Sequence, residues 1–279
     1  MELTEHNVKI KNFRDMHQAP NILVLPNAWD VASAHIFEQA GFHAIGTTSA
    51  GIAASLGYRE PEKISRSEMM QAVKRIIDAV QLPVSVDIEA GYASTPEGVA
   101  ETVKMMAIAG AVGVNLEDSP GMADQPLQDI QVQAERIKVA RHAVTSINIP
   151  LVINARTDLY LFAIGDPNTR FDQVVLRANT YLNAGADCVF VPGIGDPKII
   201  ARLVNEIQGP INILANPGVP SIQDLQQLGV ARVSLGSGPM RATLGLIRRI
   251  AQELLTTGTY ETFTTETIPY AEVNQFFNN

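Results

Sequence analysis

Short apolar runs alternate with longer amphipathic stretches along nearly the whole chain. Eight runs read as strands: Ile22 to Pro26, Ala44 to Thr47, Pro83 to Asp87, Val112 to Leu116, Leu151 to Asn154, Cys188 to Val191, Ile211 to Ala215 and Arg232 to Leu235. Each is short, rich in Val and Ile, and bounded by Gly, Pro or Asp, the pattern of a strand covered on both faces. The stretches between them carry helix signals. Asp30, Thr95 before Pro96, Asp196 before Pro197 and Ser221 each offer a side-chain oxygen to the first-turn amides. Ala40-Gly41, Ala109-Gly110 and Ala184-Gly185 place glycine where a helix ends in a left-handed residue. From Ile22 to Leu255 the spacing is about 29 residues per unit, a strand and a helix each time. Eight such units predict an α/β chain folded as a (β/α)8 TIM barrel; a doubly wound sheet shares the alternation but not the count. Residues 1–258 form the predicted catalytic barrel, and residues 259–279 a tail or helix that packs on a neighbouring subunit.

The chain has 279 residues, 46% of them apolar and 18% charged, which excludes a disordered scaffold. A net charge of -8 leaves no field that attracts phosphodiester backbones or anionic lipid, so neither nucleic acid nor membrane is an expected partner. One cysteine, Cys188, allows neither an intrachain disulfide nor a cysteine metal cluster. The N-terminal stretch lacks an uninterrupted apolar run like that of a signal peptide, and a cytoplasmic location is expected.

In such a barrel the functional face is the carboxyl end of the strands. The residues there include Asp87 and Glu89 after the third run, Glu117 after the fourth, Arg156 after the fifth and Asn216 after the seventh. Asp87 and Glu89 are two apart, which on a strand points both to one side. With Glu117 they make an all-oxygen set suited to a hard cation such as Mg2+. Arg156 offers a carboxylate a bidentate fork, or else pairs with one of these acids. Thr47 to Gly51 is small and polar, either a backbone nest for an anion or a tight turn. Trp29 stands at the barrel mouth or packs as an ordinary aromatic. Gly236-Ser237-Gly238 reads as a tight turn and Cys188 as an inert core thiol. His6, His17, His35, His43 and His142 all fall off the strand ends, which disfavours histidine acid-base chemistry.

At these residues the chain resembles the isocitrate lyase and phosphoenolpyruvate mutase superfamily. LPNAWDVASA, TTSAGIAASLGY, SVDIEAGYA, VNLEDSP, NARTD and ILANPG stand in the expected order over nearly the whole length. The resemblance implies a Mg2+-dependent barrel (Mn2+ being an alternative) that acts on small 2-oxo acids. It implies that Asp87 ligates the metal, that Glu89 and Glu117 hold its waters, and that Thr48, Ser49 and Ala50 bind the oxo-acid carboxylate. Arg156 matches the family's anion-binding arginine, and Glu60 stands where the family has an aspartate near the reacting centre. Glu60, Glu117 and Arg156 are thus the candidate catalytic residues; Trp29 and Asn216 complete the substrate-binding set with Asp87. The resemblance also implies a homo-oligomer, a dimer of dimers, with the segment from Pro239 to Leu255 packed on a neighbour. The tail from Ile268 to Phe277 is expected to bury Tyr270, Phe276 and Phe277 there as well.

The departures from the family pattern narrow the reaction. The lyase branches carry a Lys-Cys-Gly-His type loop whose thiol donates a proton; here Ser119 to Pro126 reads SPGMADQP. Pro192-Gly193 stands in place of a lyase glutamate. The leading expectation is a Mg2+-dependent C–C lyase that decarboxylates an oxaloacetate-like acid through an enolate. The alternatives are a phosphonomutase or other P–C bond enzyme, a methylisocitrate lyase-like activity, and a barrel that binds a 2-oxo acid without turning it over.

Overall fold

The computed structural model describes residues 3–18, 20–122 and 124–277. Ala123 of the loop from Ser119 to Pro126, and the outermost residues of the two predicted segments, lie outside the described residues. In chain order the elements are α1 (Leu3–Asp15), β1 (Leu23–Leu25), β2 (Asn27–Ala28), α2 (Val31–Gln39), β3 (Ile45–Thr47), α3 (Ser49–Ser55), α4 (Arg66–Ala79), β4 (Val84–Asp87), α5 (Pro96–Ala109) and β5 (Gly113–Glu117). There follow α6 (Ile130–Ser146), β6 (Val152–Arg156), α7 (Arg170–Asn183), β7 (Cys188–Val191), α8 (Pro197–Glu206), β8 (Ile211–Leu214), α9 (Ile222–Gln227), β9 (Arg232–Ser234), α10 (Gly238–Thr256), α11 (Glu261–Thr264) and α12 (Tyr270–Gln275).

All strands pair in parallel in the order β1-β9-β8-β7-β6-β5-β4-β3-β2. The two ends of that order are consecutive in the chain. β1 pairs with β9 through Leu23 and Arg232, while β2 pairs with β3 through Asn27 and Gly46. Pro26, with no N–H to donate, separates the two halves of the first predicted strand. The sheet therefore closes on itself, and the (β/α)8 barrel is borne out over the doubly wound alternative.

The helix starts form as their chemistry dictates. Asp30 accepts from Ser33 N at 2.7 Å in a reciprocal capping box, Thr95 accepts from Gly98 N, and Ser221 accepts from Asp224 N. Gly110 ends α5 at φ 107°, which a side chain would resist. The N-terminal segment, whose helix the run pattern does not announce, closes the bottom of the barrel. Phe13 of α1 reaches the interior, where a Cβ on Gly113 would lie 3.0 Å from its ring, and His6 Nε2 pairs with the Ala111 carbonyl at 3.0 Å. Arg14 locks the helix to Asp187 and to the Pro150 carbonyl.

The core lies between strands and helices in two buried clusters, one around β3 to β6 and one around β7 to β9. α10 is different. Of its 19 residues only Met240 is buried, and Leu244, Ile247 and Leu255 are exposed. The tail departs in part from expectation. Phe276 is buried within its own chain, beside the His35 ring of α2, while Tyr270 and Phe277 stay exposed. Among the described residues no helix is long and apolar enough to cross a membrane.

Candidate active site

A cavity of about 860 Å3 opens at the carboxyl ends of the strands. It is lined by Thr48, Ser49, Ala50, Glu60, Asp87, Glu89, Glu117, Arg156 and Asn216, so the barrel brings together every predicted site residue but one. The exception is Trp29. It is half-buried and packs behind α3, where a Cβ on Gly51 would meet its own Cβ at 2.7 Å. A glycine at 51 lets α3 lie against the indole, and this packing keeps Trp29 off the cavity wall.

Asp87 closes β4, and both its oxygens are engaged. Oδ2 accepts from Ser49 N at 3.1 Å and Ser49 Oγ at 2.7 Å; Oδ1 accepts from Asn115 Nδ2 at 3.0 Å. Asn115 in turn accepts from Asn154 Nδ2 at 3.1 Å, so a file of two amides on the neighbouring strands β5 and β6 fixes the carboxylate. The Ser49 amide, expected to face a ligand, is thus spent on Asp87. Thr48 caps the short α3.

Glu89 reaches the cavity by a route other than the expected one. β4 ends at Asp87, and Glu89 lies beyond it at φ 49°, in the left-handed region, so strand alternation does not aim it. It is 2% exposed and is held by Glu62 N at 2.7 Å and by the Tyr92 hydroxyl. Burial pushes its pKa up to about 7, against those two hydrogen bonds.

Glu117 ends β5 and is also buried, and desolvation raises its pKa well above the usual carboxylate range despite Arg156. Arg156, at the end of β6, gives Nη1 to Glu117 at 2.8 Å and Nε to Asp158 at 2.6 Å. The ion-pair alternative for this residue is therefore realised, twice over, and the guanidinium has no second free edge for a bidentate fork. Glu60 stands at the open end of the cavity with its carboxyl screened by the walls. This partial burial raises its pKa, the Ser49 hydrogen bond opposes the rise, and the Asp87 charge adds to it.

Ser49 Oγ lies 2.5 Å from Glu60 Oε1 and 2.7 Å from Asp87 Oδ2. One hydroxyl proton cannot satisfy two carboxylates, so the Glu60-Ser49-Asp87 file holds a further proton or faces a cation. The donor set fits a hard cation, being all oxygen and rich in negative charge. Among the described residues no three His, Cys, Asp or Glu side chains converge as a direct ligand cage. Such a set would hold a cation largely through its own waters, with Asp87, Glu89 and Glu117 as the residues facing it.

Other parts of the wall answer further expectations. Gly236 is the tight turn it resembles, and both its amide and that of Leu235 donate to Asn27 Oδ1 at 2.9 and 2.8 Å. Cys188 is fully buried, and burial pushes its thiol up to about 12. Ser119, Gly121 and Met122 bring the loop that lacks Cys, Lys and His to the cavity edge. Sequence reasoning passed over Glu62 and Tyr92, which tether Glu89, and the inward asparagines 115, 154 and 212. The second group did carry a signal: VNL, INA and INI each set one asparagine inside an apolar strand.

The chain matches the phosphoenolpyruvate phosphomutase family over residues 13–255. It is 40% identical over 233 residues to an uncharacterised protein of Mycobacterium tuberculosis, covering 84% of each. It is 31% identical over 240 residues to the 2-methylisocitrate lyase of Escherichia coli, covering 83% of this chain and 78% of that one. Among solved structures, a presumptive lyase/mutase from Burkholderia cenocepacia J2315 superposes with a TM-score of 0.91 at 36% identity, over 98% of this chain and 97% of the other.

Proposed function

The chain belongs to the phosphoenolpyruvate phosphomutase family, within the isocitrate lyase and phosphoenolpyruvate mutase superfamily of lyases and mutases, and on that premise we propose that it is a Mg2+-dependent lyase that breaks a C–C bond in a small 2-oxo acid. Loss of carbon dioxide from an oxaloacetate-like substrate is the reaction the site supports best. The observation that carries this reading is the meeting of Asp87, Glu89, Glu117 and the Glu60-Ser49 pair on one cavity, without a thiol or imidazole on its wall.

Asp87 would hold Mg2+ or Mn2+, and Glu89 and Glu117 its waters. When bound, the metal polarises the keto oxygen and offsets the charge that develops on it as the bond breaks. The protein's own groups do the rest. Asn115 and Ser49 keep Asp87 in one orientation, and Glu62 and Tyr92 do the same for Glu89. Arg156, pinned by Glu117 and Asp158, contributes a fixed positive charge rather than a mobile clamp. Glu60 keeps a proton on the side of Ser49 and delivers it to carbon, or leaves that step to solvent.

Isothermal titration with pyruvate, oxalate and oxaloacetate, each with and without Mg2+, tests the reading, followed by a pyruvate-release assay corrected for metal-catalysed decarboxylation in solution. Oxalate is expected to bind only with Mg2+ and to inhibit. Turnover that survives chelation would overturn the proposal. A second reading, methylisocitrate lyase-like cleavage, is favoured by the identity to the Escherichia coli enzyme and opposed by the loop from Ser119 to Pro126. Efficient pyruvate release from 2-methylisocitrate would establish it instead.

The same reading includes a homo-oligomer, a dimer of dimers in which α10 packs on a neighbouring barrel. Its outward Leu244, Ile247 and Leu255 would leave water on assembly. A monomeric mass by light scattering at micromolar concentration would refute this.

A further inference from the structure

Below the carboxylates the same cavity ends on a cation that has no anionic partner among the described residues. Arg232, the first residue of β9, is 3% exposed and lines the cavity, and its Nε and Nη1 are enclosed with no hydrogen-bond acceptor. Among the described residues its guanidinium forms no ion pair; its one ring contact is Phe13, 6.0 Å from Cζ. The other arginines buried in the barrel region are held by hydrogen bonds or ion pairs: Arg156 pairs with Glu117 and Asp158, and Arg136, although its Nε also lacks an acceptor, gives Nη1 to Gln133 Oε1 and Nη2 to the carbonyls of Ala90 and Ala93. A guanidinium withdrawn from water without an anion is among the least favourable arrangements a fold can hold, so an unpaired one at the floor of an open cavity indicates a missing counter-charge.

The neighbourhood suits a small anion. Asn212 pairs with Arg232 in strand register and also lines the cavity. Among the described residues its one side-chain partner is the Ser234 hydroxyl, to which Nδ2 donates at 3.1 Å and which can donate as well as accept, while Oδ1 is enclosed without a donor. Turning the amide over would let the Ser234 hydroxyl donate to Oδ1 and release the NH2 for a ligand. The Asp87 charge is felt at Arg232, and the Cys188 thiol beside it stays protonated.

We propose that the floor of the cavity is an anion site in which Arg232, assisted by Asn212, binds a carboxylate-type group independently of the metal. The group is either a free one-carbon anion, formate or hydrogencarbonate, or the far end of a dicarboxylic ligand. The site does not depend on the reaction proposed above, since its test contains no metal.

Thermal unfolding is followed in EDTA, at constant ionic strength set with a bulky sulfonate buffer, while sodium formate is titrated into wild type and Arg232→Met. At a hundredfold excess over Kd the wild-type Tm should rise by roughly 4 °C, and the variant should not respond. Methionine fills most of the space of the arginine, so the variant is expected to fold at least as well as wild type without anion. Should it not, wild-type crystals soaked in bromide decide, with an anomalous peak expected against the Arg232 guanidinium. Succinate that abolishes the formate response assigns the site to the far carboxylate of a larger ligand; responses that add assign it to the free anion. Equal formate responses in wild type and variant, or bromide peaks only elsewhere, would overturn the proposal.

Discussion

Replacing Arg156 by methionine separates two roles that the same residue can play. If the guanidinium is chiefly an arm for substrate, its loss leaves the empty protein as stable as before. The geometry says otherwise. Arg156 Nη1 is 2.8 Å from Glu117 and Nε 2.6 Å from Asp158 Oδ1; the Asp158 side chain is 0% exposed and its Oδ2 has no hydrogen-bond partner among the described residues. Removing one member of a buried ion pair typically costs about 3–5 kcal/mol, because the remaining charge loses its partner but stays out of water. A chain of this length has an unfolding entropy of about 0.6 kcal/mol per degree at its midpoint, so Arg156→Met should lower Tm by about 5–8 °C. Calorimetry at pH 7.5 in EDTA measures this without substrate or metal. Adding Glu117→Gln should return part of the loss, with a coupling of about 0.5–3 kcal/mol, since the uncompensated charge is then removed. A Tm within about 1 °C of wild type, with the defect confined to KM, would refute the reasoning and restore the view of Arg156 as a free anion-binding arm.

Three further outcomes follow from the same contacts. Asp87→Asn should weaken Mg2+ binding by calorimetry by at least about tenfold with the near-ultraviolet dichroism unchanged, and an equal Kd would remove Asp87 from the metal site. His17 is buried beside Phe13 with its pKa lowered from 6.5 to about 4, by burial first and the Arg232 charge second; the unfolded chain therefore binds the extra proton. The stability it confers is complete above pH 6.5 and is lost as pH falls toward 4, by about 3 kcal/mol, and His17→Gln should flatten that part of the stability profile measured by urea unfolding. Cys188, fully buried with its thiol pushed up to about 12, should resist iodoacetamide until the chain unfolds; modification of the native protein at the rate of a free thiol, read by mass spectrometry, would contradict this.

The barrel was legible because its signals are local. Runs such as Val112 to Leu116, start residues such as Thr95-Pro96 and stops such as Ala109-Gly110 each act within a few residues, and together they count out eight units. Asp87, Glu117 and Arg156 were legible for the same reason, since strand ends converge in a closed parallel barrel whatever the loops do. What escaped depends on contacts far apart in sequence. Glu89 comes to the cavity through a left-handed backbone fixed by Glu62 and Tyr92, and period-two reasoning reaches the right place for the wrong reason. Trp29 is drawn from the mouth by Gly51, and Phe276 packs beside His35 of its own chain. The pairing of Arg156 with Asp158 as well as Glu117 depends on the turn after β6, whose shape no spacing rule describes.

The two places where a lyase acid would enter are closed in this chain by different means. At Pro192-Gly193 the obstacle is steric. Gly193 sits at φ 85°, and a Cβ there would lie 2.6 Å from Leu161 Cα and 2.7 Å from Leu161 N, backbone atoms that cannot step aside. The turn after β6 thus occupies the space into which a glutamate would project, so restoring that residue alone would disrupt the turn rather than restore the chemistry. In the loop from Ser119 to Pro126 the obstacle is chemical, since it brings only hydroxyl and apolar groups to the cavity edge. Glu60 and Ser49, 2.5 Å apart, line the same cavity, and partial burial raises the Glu60 pKa. In the reaction we propose, the carbanion would be protonated from the Glu60 side or by water, and loss of carbon dioxide meets that condition without a second acid.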